Sequence, residues 1–193
     1  MSTIVVVRKG QTCCIAADSM TSFGDMQLSA RYDRNHDKIQ TFGRTHIGIV
    51  GSAAHTLVVE NAMRNPELKP DFSSRDAIFN TLLRLHRILK DDYFLTPKDA
   101  EDDPYESSHI DAVIATAHGI FGIYALREVY EYDRFWAVGS GAPYALGAMQ
   151  ALYASARSSA HSIARAGVEA GAEFDNATAL PLSSKQVRLR AVD

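Results

Sequence analysis

Residues 2–19 read STIVVVRKGQTCCIAADS, and this stretch decides how the fold begins. Residues 3–7 form a β-branched run, Lys9-Gly10 supplies turn chemistry, and residues 12–17 form a second strand-like run. The spacing predicts a β-hairpin. Asp18 follows Ser2 by sixteen positions, enough for an out-and-back ribbon that brings the two side by side. Cys13 and Cys14 are neighbours on the second strand and point to opposite faces, so an ordinary disulfide between them is ruled out. These are the only two cysteines, which predicts a reducing compartment.

Working outward, residues 38–42 and 46–50 form a second predicted hairpin around Gly43-Arg44. Helical spacing follows at 53–63 and 76–90, where Ile78, Leu82, Leu85 and Leu89 fall on one face as a core stripe. Residues 110–116, 120–124 and 135–138 read as short strands. Two Ala-rich helices come next, one opening at Pro143 and one near Ser158-Ser159, before a last strand at 186–189. The order is four strands, two helices, several strands, two helices and a strand, without βαβ alternation. It favours two sheets packed face to face with helix pairs outside.

The chain has 193 residues, 46% hydrophobic and 22% charged, with a net charge of -3. A single domain over 1–193 is expected, and disordered or disulfide-scaffold classes are disfavoured. The charge balance gives no footprint for nucleic acid or an anionic membrane surface. No apolar run reaches the length of a membrane span, and the start lacks a signal-peptide core, so a cytoplasmic location is expected. Within 91–106, seven acidic side chains stand against one lysine, with Pro97 and Pro104 among them. This stretch reads as an exposed acidic loop or insertion.

Phosphate-cradling loops, dinucleotide fingerprints and HExxH are absent, and the seven histidines show no metal-ligand spacing. Ser140 lies directly between Gly139 and Gly141, which does not fit the GxSxG of a nucleophile elbow. Attention returns to the N-terminus, where Met1 precedes a small hydroxyl residue. Methionine removal would leave Ser2 with a free α-amine of pKa about 7.7–8.0, suited to a general base at neutral pH. One residue then supplies both nucleophile and base.

Residues 2–57 resemble the N-terminal half of proteasome β-type subunits and the bacterial peptidase HslV. Ser2-Thr3-Ile4-Val5-Val6-Val7 is similar to the family's opening strand, and Ala16-Ala17-Asp18-Ser19 to its catalytic-aspartate motif. Lys38-Ile39 resembles the catalytic-lysine site and Gly51-Ser52-Ala53-Ala54 the oxyanion turn. Further on, Gly139-Ser140-Gly141-Ala142-Pro143-Tyr144-Ala145 is similar to the family's serine segment, and Asp175 with Thr178 keeps its Asp-x-x-Ser/Thr spacing. The whole chain, apart from the acidic stretch, looks most like the betaproteobacterial proteasome-homologue subgroup.

The resemblance implies an α+β N-terminal nucleophile hydrolase, built as a four-layer α/β/β/α sandwich and assembled into stacked homo-oligomeric rings of six or seven subunits around a chamber. It implies a threonine/serine-type endopeptidase acting on unfolded polypeptide, fed by a separate ATP-dependent unfoldase. Ser2 would be the nucleophile, with Lys38 and Asp18 easing its deprotonation and the Gly51 N–H stabilising the oxyanion. Ser140 and Asp175 would orient the amine, and Thr178 would brace Asp175. No cofactor is required, although a monovalent cation near Ala172, Asp175 and Thr178 is implied. Two departures stand out: serine lacks the methyl group that restricts the family's usual threonine, and residues 24–37 run four longer than the family's spacing, which is expected to alter the substrate-pocket wall. Competing readings are a non-catalytic ring or scaffold protein and a small-molecule amidase of the same chemistry.

Overall fold

The computed structural model describes residues 2–96, 105, 108, 110–125 and 127–190. Chain order begins with β1 (Ile4–Lys9), β2 (Thr12–Ala17), β3 (Thr21–Phe23), β4 (Met26–Leu28), β5 (Ile39–Phe42) and β6 (Thr45–Val50). Helices α1 (Ala53–Met63) and α2 (Arg75–Tyr93) follow. The second half holds β7 (Asp111–Ala115), β8 (Ile120–Tyr124), β9 (Glu128–Tyr132), β10 (Phe135–Val138), α3 (Ala142–Tyr153), α4 (Ala160–Phe174) and β11 (Ser183–Arg188).

The first hairpin forms as its sequence predicts, with Ile4 opposite Ala17 and Lys9 opposite Thr12. It sits at the centre of a four-stranded antiparallel sheet ordered β10-β1-β2-β11. The second hairpin opens a five-stranded antiparallel sheet ordered β5-β6-β7-β8-β9. Because strand side chains alternate in direction, β1 and β2 feed two different cores. Ile4, Val6, Cys13 and Ile15 pack with Val113, Ala115 and Ile120 of the other sheet. Val5, Val7, Cys14 and Ala16 pack instead against Met149 of α3 and Ile163, Ala164 and Val168 of α4. A third core joins Ile47, Ile114 and Phe121 to Val59 of α1 and Leu82, Leu85 and Leu89 of α2. Each fully buried aliphatic side chain contributes about 1.5–3 kcal/mol, so the strands hold mainly through these apolar contacts. The two cysteines are free and lie in different cores. Burial pushes the Cys13 thiol up to about 11 and Cys14 to about 12, so neither supplies a thiolate at neutral pH.

Helix α4 starts where expected, next to Ser159, and α2 starts on a cap the sequence reading did not name. Ser74 caps α2 by accepting from the Ala77 N–H, and Ser159 and Ser162 form a reciprocal capping box on α4. Other expectations are corrected. Helix α2 continues to Tyr93 and ends on Phe94 in the left-handed region, so Asp91 and Asp92 belong to the helix and not to an acidic loop. Residues 97–104 and 106 of that loop, like Met1 and His109, lie outside the described residues. The short hairpin β3–β4 and the strand β9 were not expected, and β11 starts at Ser183, three residues early. Among the described residues no helix is long and apolar enough to cross a membrane.

Candidate active site

Strand β2 ends at Ala17 and delivers Asp18 into a fully buried position. A carboxylate there loses its hydration and persists only if its charge is paired and its lone pairs are filled. Both conditions are met. The backbone N–H of Thr3 donates to Oδ1 at 3.0 Å, and those of Met20 and Ala179 donate to Oδ2 at 3.0 and 3.4 Å. Lys38 Nζ stands 2.9 Å from each carboxylate oxygen.

The same Nζ donates to Ser2 Oγ at 2.9 Å, so the three N–H bonds of the ammonium are matched by three oxygens. Lys38 lies just before β5, and the chain around it is fixed by Asp37, whose Oδ1 accepts from the Ile39 N–H at 2.9 Å and from Ser183 Oγ at 2.6 Å. Burial lowers the Lys38 pKa from 10.5, while the Asp18 charge and hydrogen bond pull it back up, with a smaller upward pull from Asp175. An ammonium held against a serine hydroxyl favours the alkoxide form of that hydroxyl.

A second carboxylate completes the surroundings of β1. Asp175, the C-cap of α4, accepts from Ser140 Oγ at 2.7 Å and from Thr178 Oγ1 at 2.6 Å, both on Oδ2. Thr178 Oγ1 also lies 2.8 Å from Thr3 Oγ1. The single Thr178 proton is committed to the carboxylate, so Thr3 is the donor in that contact. Ser140 follows β10 on a turn where Gly139 adopts φ +96 and any Cβ would collide with the Ser2 carbonyl. Glycine is therefore required on two counts. The Gly141 N–H donates to that same carbonyl at 3.3 Å.

Gly51 follows β6 at φ +119 and lines, with Ser2 and Lys38, a cleft of about 920 Å³. Asp33, Arg34 and His36 line it too, which places part of the lengthened 24–37 segment along the cleft wall. Six of the seven residues singled out in the sequence fall into two hydrogen-bonded groups, Ser2 with Asp18 and Lys38 and Ser140 with Asp175 and Thr178, and the seventh, Gly51, lines the cleft that Ser2 and Lys38 also line. Sequence reasoning missed Thr3, whose N–H donates to Asp18 Oδ1 and whose hydroxyl meets Thr178 Oγ1, itself bonded to Asp175. Asp37 was missed as well; an Asp two residues before an N–H that it caps is a common local signature.

An α+β core carrying a buried serine, held by a lysine–aspartate pair at the head of its first strand, is the arrangement of N-terminal nucleophile hydrolases of the proteasome type. No family model matches the chain. Among solved structures, it is similar to the Thiobacillus denitrificans BPH, a bacterial proteasome homologue, at 40% identity and TM-score 0.91, covering 97% of this chain and 98% of that one. The same homologue in complex with epoxomicin matches at 39% identity and TM-score 0.90, with 98% and 100% covered. Eukaryotic HslV from Trypanosoma brucei shares the fold at 19% identity and TM-score 0.70, with 96% and 99% covered. The chain belongs to the proteasome β-type and HslV-like family, in the betaproteobacterial proteasome-homologue subgroup.

Proposed function

We propose that this chain is an N-terminal-serine peptidase that hydrolyses unfolded polypeptide inside a ring chamber. The observation that carries the reading is Lys38 Nζ placed 2.9 Å from Ser2 Oγ and from both oxygens of Asp18. The three cores support a four-layer α/β/β/α sandwich, with α1 and α2 on one outer face and α3 and α4 on the other.

Chemistry begins once Met1 is removed. Ser2 Oγ attacks a peptide carbonyl carbon, and its proton passes to the Ser2 α-amine. The tetrahedral oxyanion takes a hydrogen bond from the Gly51 N–H, a kind of donor whose loss typically costs about 10²–10³ in rate. Collapse breaks the peptide C–N bond, and the amine's proton goes to the departing amino group, leaving a Ser2 ester. Water then hydrolyses the ester with the amine again as base. Ser140, Asp175 and Thr178 hold the Ser2 backbone and its amine in register. The Lys38 ammonium opposes protonation of the nearby amine at rest.

Ala172, Asp175 and Thr178 line a second cleft of about 360 Å³, whose carboxylate and hydroxyl oxygens suit a hard monovalent cation; such an ion would steady the 172–178 turn. The similarity to proteasome-type homologues supports an oligomeric ring of this chain; in this reading the rings are stacked, hold six or seven subunits each, and are supplied by an ATP-dependent unfoldase in the cytoplasm.

Intact-mass measurement of the mature protein after incubation with epoxomicin tests the reading. The wild type should gain one inhibitor mass and Ser2→Ala none. A wild type that lacks Met1 and stays unlabelled would sink the peptidase and leave the non-catalytic scaffold; labelling with turnover of small amides alone would favour the amidase.

A further inference from the structure

We propose that Asp37 and Ser183 are positioning residues, a clasp between the two sheets that sets where Lys38 Nζ meets Ser2 and Asp18. The inference rests on the peptidase reading above. Between Leu28, at the end of β4, and Ile39, at the start of β5, the chain runs through turns and irregular backbone. The β5–β6 ladder begins at Ile39, opposite Gly48, one residue too late to hold the Lys38 backbone. Yet Nζ must meet three oxygens at 2.9 Å each, and a lysine stem is flexible. The root of the side chain therefore has to be fixed by other means.

Asp37 fixes it from both sheets at once. Its Oδ1 accepts from the Ile39 N–H at 2.9 Å, closing a turn around Lys38, and from Ser183 Oγ at 2.6 Å. Ser183 opens β11 and stands opposite Ala17, the residue before Asp18. The contacts close a circuit. Lys38 is joined to Asp18 by the ion pair, Ala17 to Ser183 across the β2–β11 ladder, and Ser183 to Asp37 by the hydroxyl, while Asp37 and Lys38 are chain neighbours. In this circuit the hydroxyl bond is the link that crosses from β11 in one sheet to the start of β5 in the other. Charge contributes less than shape here. Asp37 Oδ2 and Lys185 Nζ are 3.9 Å apart on side chains 39% and 43% exposed, a geometry in which an ion pair adds little. What the clasp needs is an acceptor oxygen in place, which asparagine supplies and alanine does not.

The test compares Asp37→Ala, Asp37→Asn and Ser183→Ala with the mature wild type on one fluorogenic peptide. Asp37→Ala should lower kcat by about 10–10²-fold with KM little changed, because Lys38 acts on the Ser2 hydroxyl and not on substrate binding. Asp37→Asn should recover most of that loss, and Ser183→Ala should lose rate in the same direction but less. Adding Ser183→Ala to Asp37→Ala should cost almost nothing more, since the bond is already gone. The pH profile separates positioning from general weakening. The charged groups around Lys38 are Asp18 after β2, Asp175 at the end of α4, Asp37 beside it and Lys185 on β11. Burial lowers the Lys38 pKa and Asp18 gives the largest upward pull. An ammonium drawn away from Asp18 loses that pull, so the alkaline limb of kcat should move to lower pH in Asp37→Ala. Asp37→Asn removes the same charge and should move it less. Unchanged kcat in Asp37→Ala, a loss carried by KM alone, or an asparagine variant as slow as alanine each overturns the assignment. Should Asp37→Ala not fold, unchanged kcat in Ser183→Ala overturns it as well. Epoxomicin labelling of wild-type Ser2 with equal rates in all variants removes this inference only, whereas no label and no cleavage by the wild type removes the peptidase reading with it.

Discussion

Two carboxylates flank the first residues of β1, and they are satisfied in opposite ways. Asp18 is fully buried and takes three backbone N–H groups and an ammonium. Asp175 is half-buried and takes two neutral hydroxyls, from Ser140 and Thr178. Depth explains the difference, since a carboxylate without water needs a countercharge while one nearer solvent does not. The consequence is a division of labour. The Asp18 side sets the electrostatics of the Ser2 hydroxyl through Lys38, and the Asp175 side sets where the chain's first residues sit through Thr178 and Thr3.

The largest effect should come from removing the cation. Lys38→Met leaves Asp18 buried without a countercharge and Ser2 Oγ without its donor. Peptidase kcat/KM should drop by about 10²–10⁴-fold, and urea denaturation should show a loss of about 3–5 kcal/mol. If instead activity falls by less than tenfold, the Asp18 side does not govern the nucleophile, and the contrast between the two carboxylates fails.

A pH profile sharpens the contrast without depending on how much variant folds. Burial lowers the Lys38 pKa from 10.5 and Asp18 raises it. Activity that needs the ammonium should therefore fall on the alkaline side below 10.5 in the wild type. Asp18→Asn removes the upward pull, so the alkaline limb of kcat/KM should move to lower pH. Thr178→Val, which leaves the Asp18 charge in place, should not shift it by as much. A limb that stays fixed in Asp18→Asn would assign it to another group.

The two sides also differed in how well the sequence exposed them. Ser2 and Asp18 could be placed together because a hairpin of known span returns Asp18 to Ser2, and the strand pattern is written in consecutive buried residues from Ile4 to Val7; Lys38 joined them through the family resemblance alone. The same clarity served α2, whose Leu82, Leu85 and Leu89 stripe is all core. Elements with little burial were invisible. Strands β3 and β4 bury nothing and β9 buries only Val129, so hydrophobic periodicity has nothing to read in them; β11, which buries only Val187, was expected, but with its start three residues late. The acidic reading of 91–106 counted charge and overlooked that Leu89 and Tyr93 continue a helical face into the third core. Thr3 was hidden for the opposite reason: a β-branched residue at the head of a strand reads as strand propensity, and nothing local shows that its hydroxyl meets Thr178, 175 positions away.

That contact yields the smallest and most discriminating expectation. Thr3→Val and Thr178→Val each keep shape and remove one hydroxyl. Thr178→Val should cost more, about 1–3 kcal/mol, because Thr178 bonds both Asp175 and Thr3. Thr3→Val leaves the Thr178–Asp175 bond in place and should cost about 0.5–1.5 kcal/mol, a Tm decrease of a few degrees for a chain of this size. The double variant should be less destabilised than the sum of the two, with a coupling of about 0.5–1 kcal/mol, since both single changes break the same bond. Neither change touches Lys38, so the loss should fall on stability and on the positioning of Ser2, and the alkaline limb should stay where it was. Strict additivity in thermal melts would mean that Thr3 and Thr178 do not act on each other, and that the Asp175 side positions the first residues through the Gly141–Ser2 backbone contact and the packing of α4 on β1 instead.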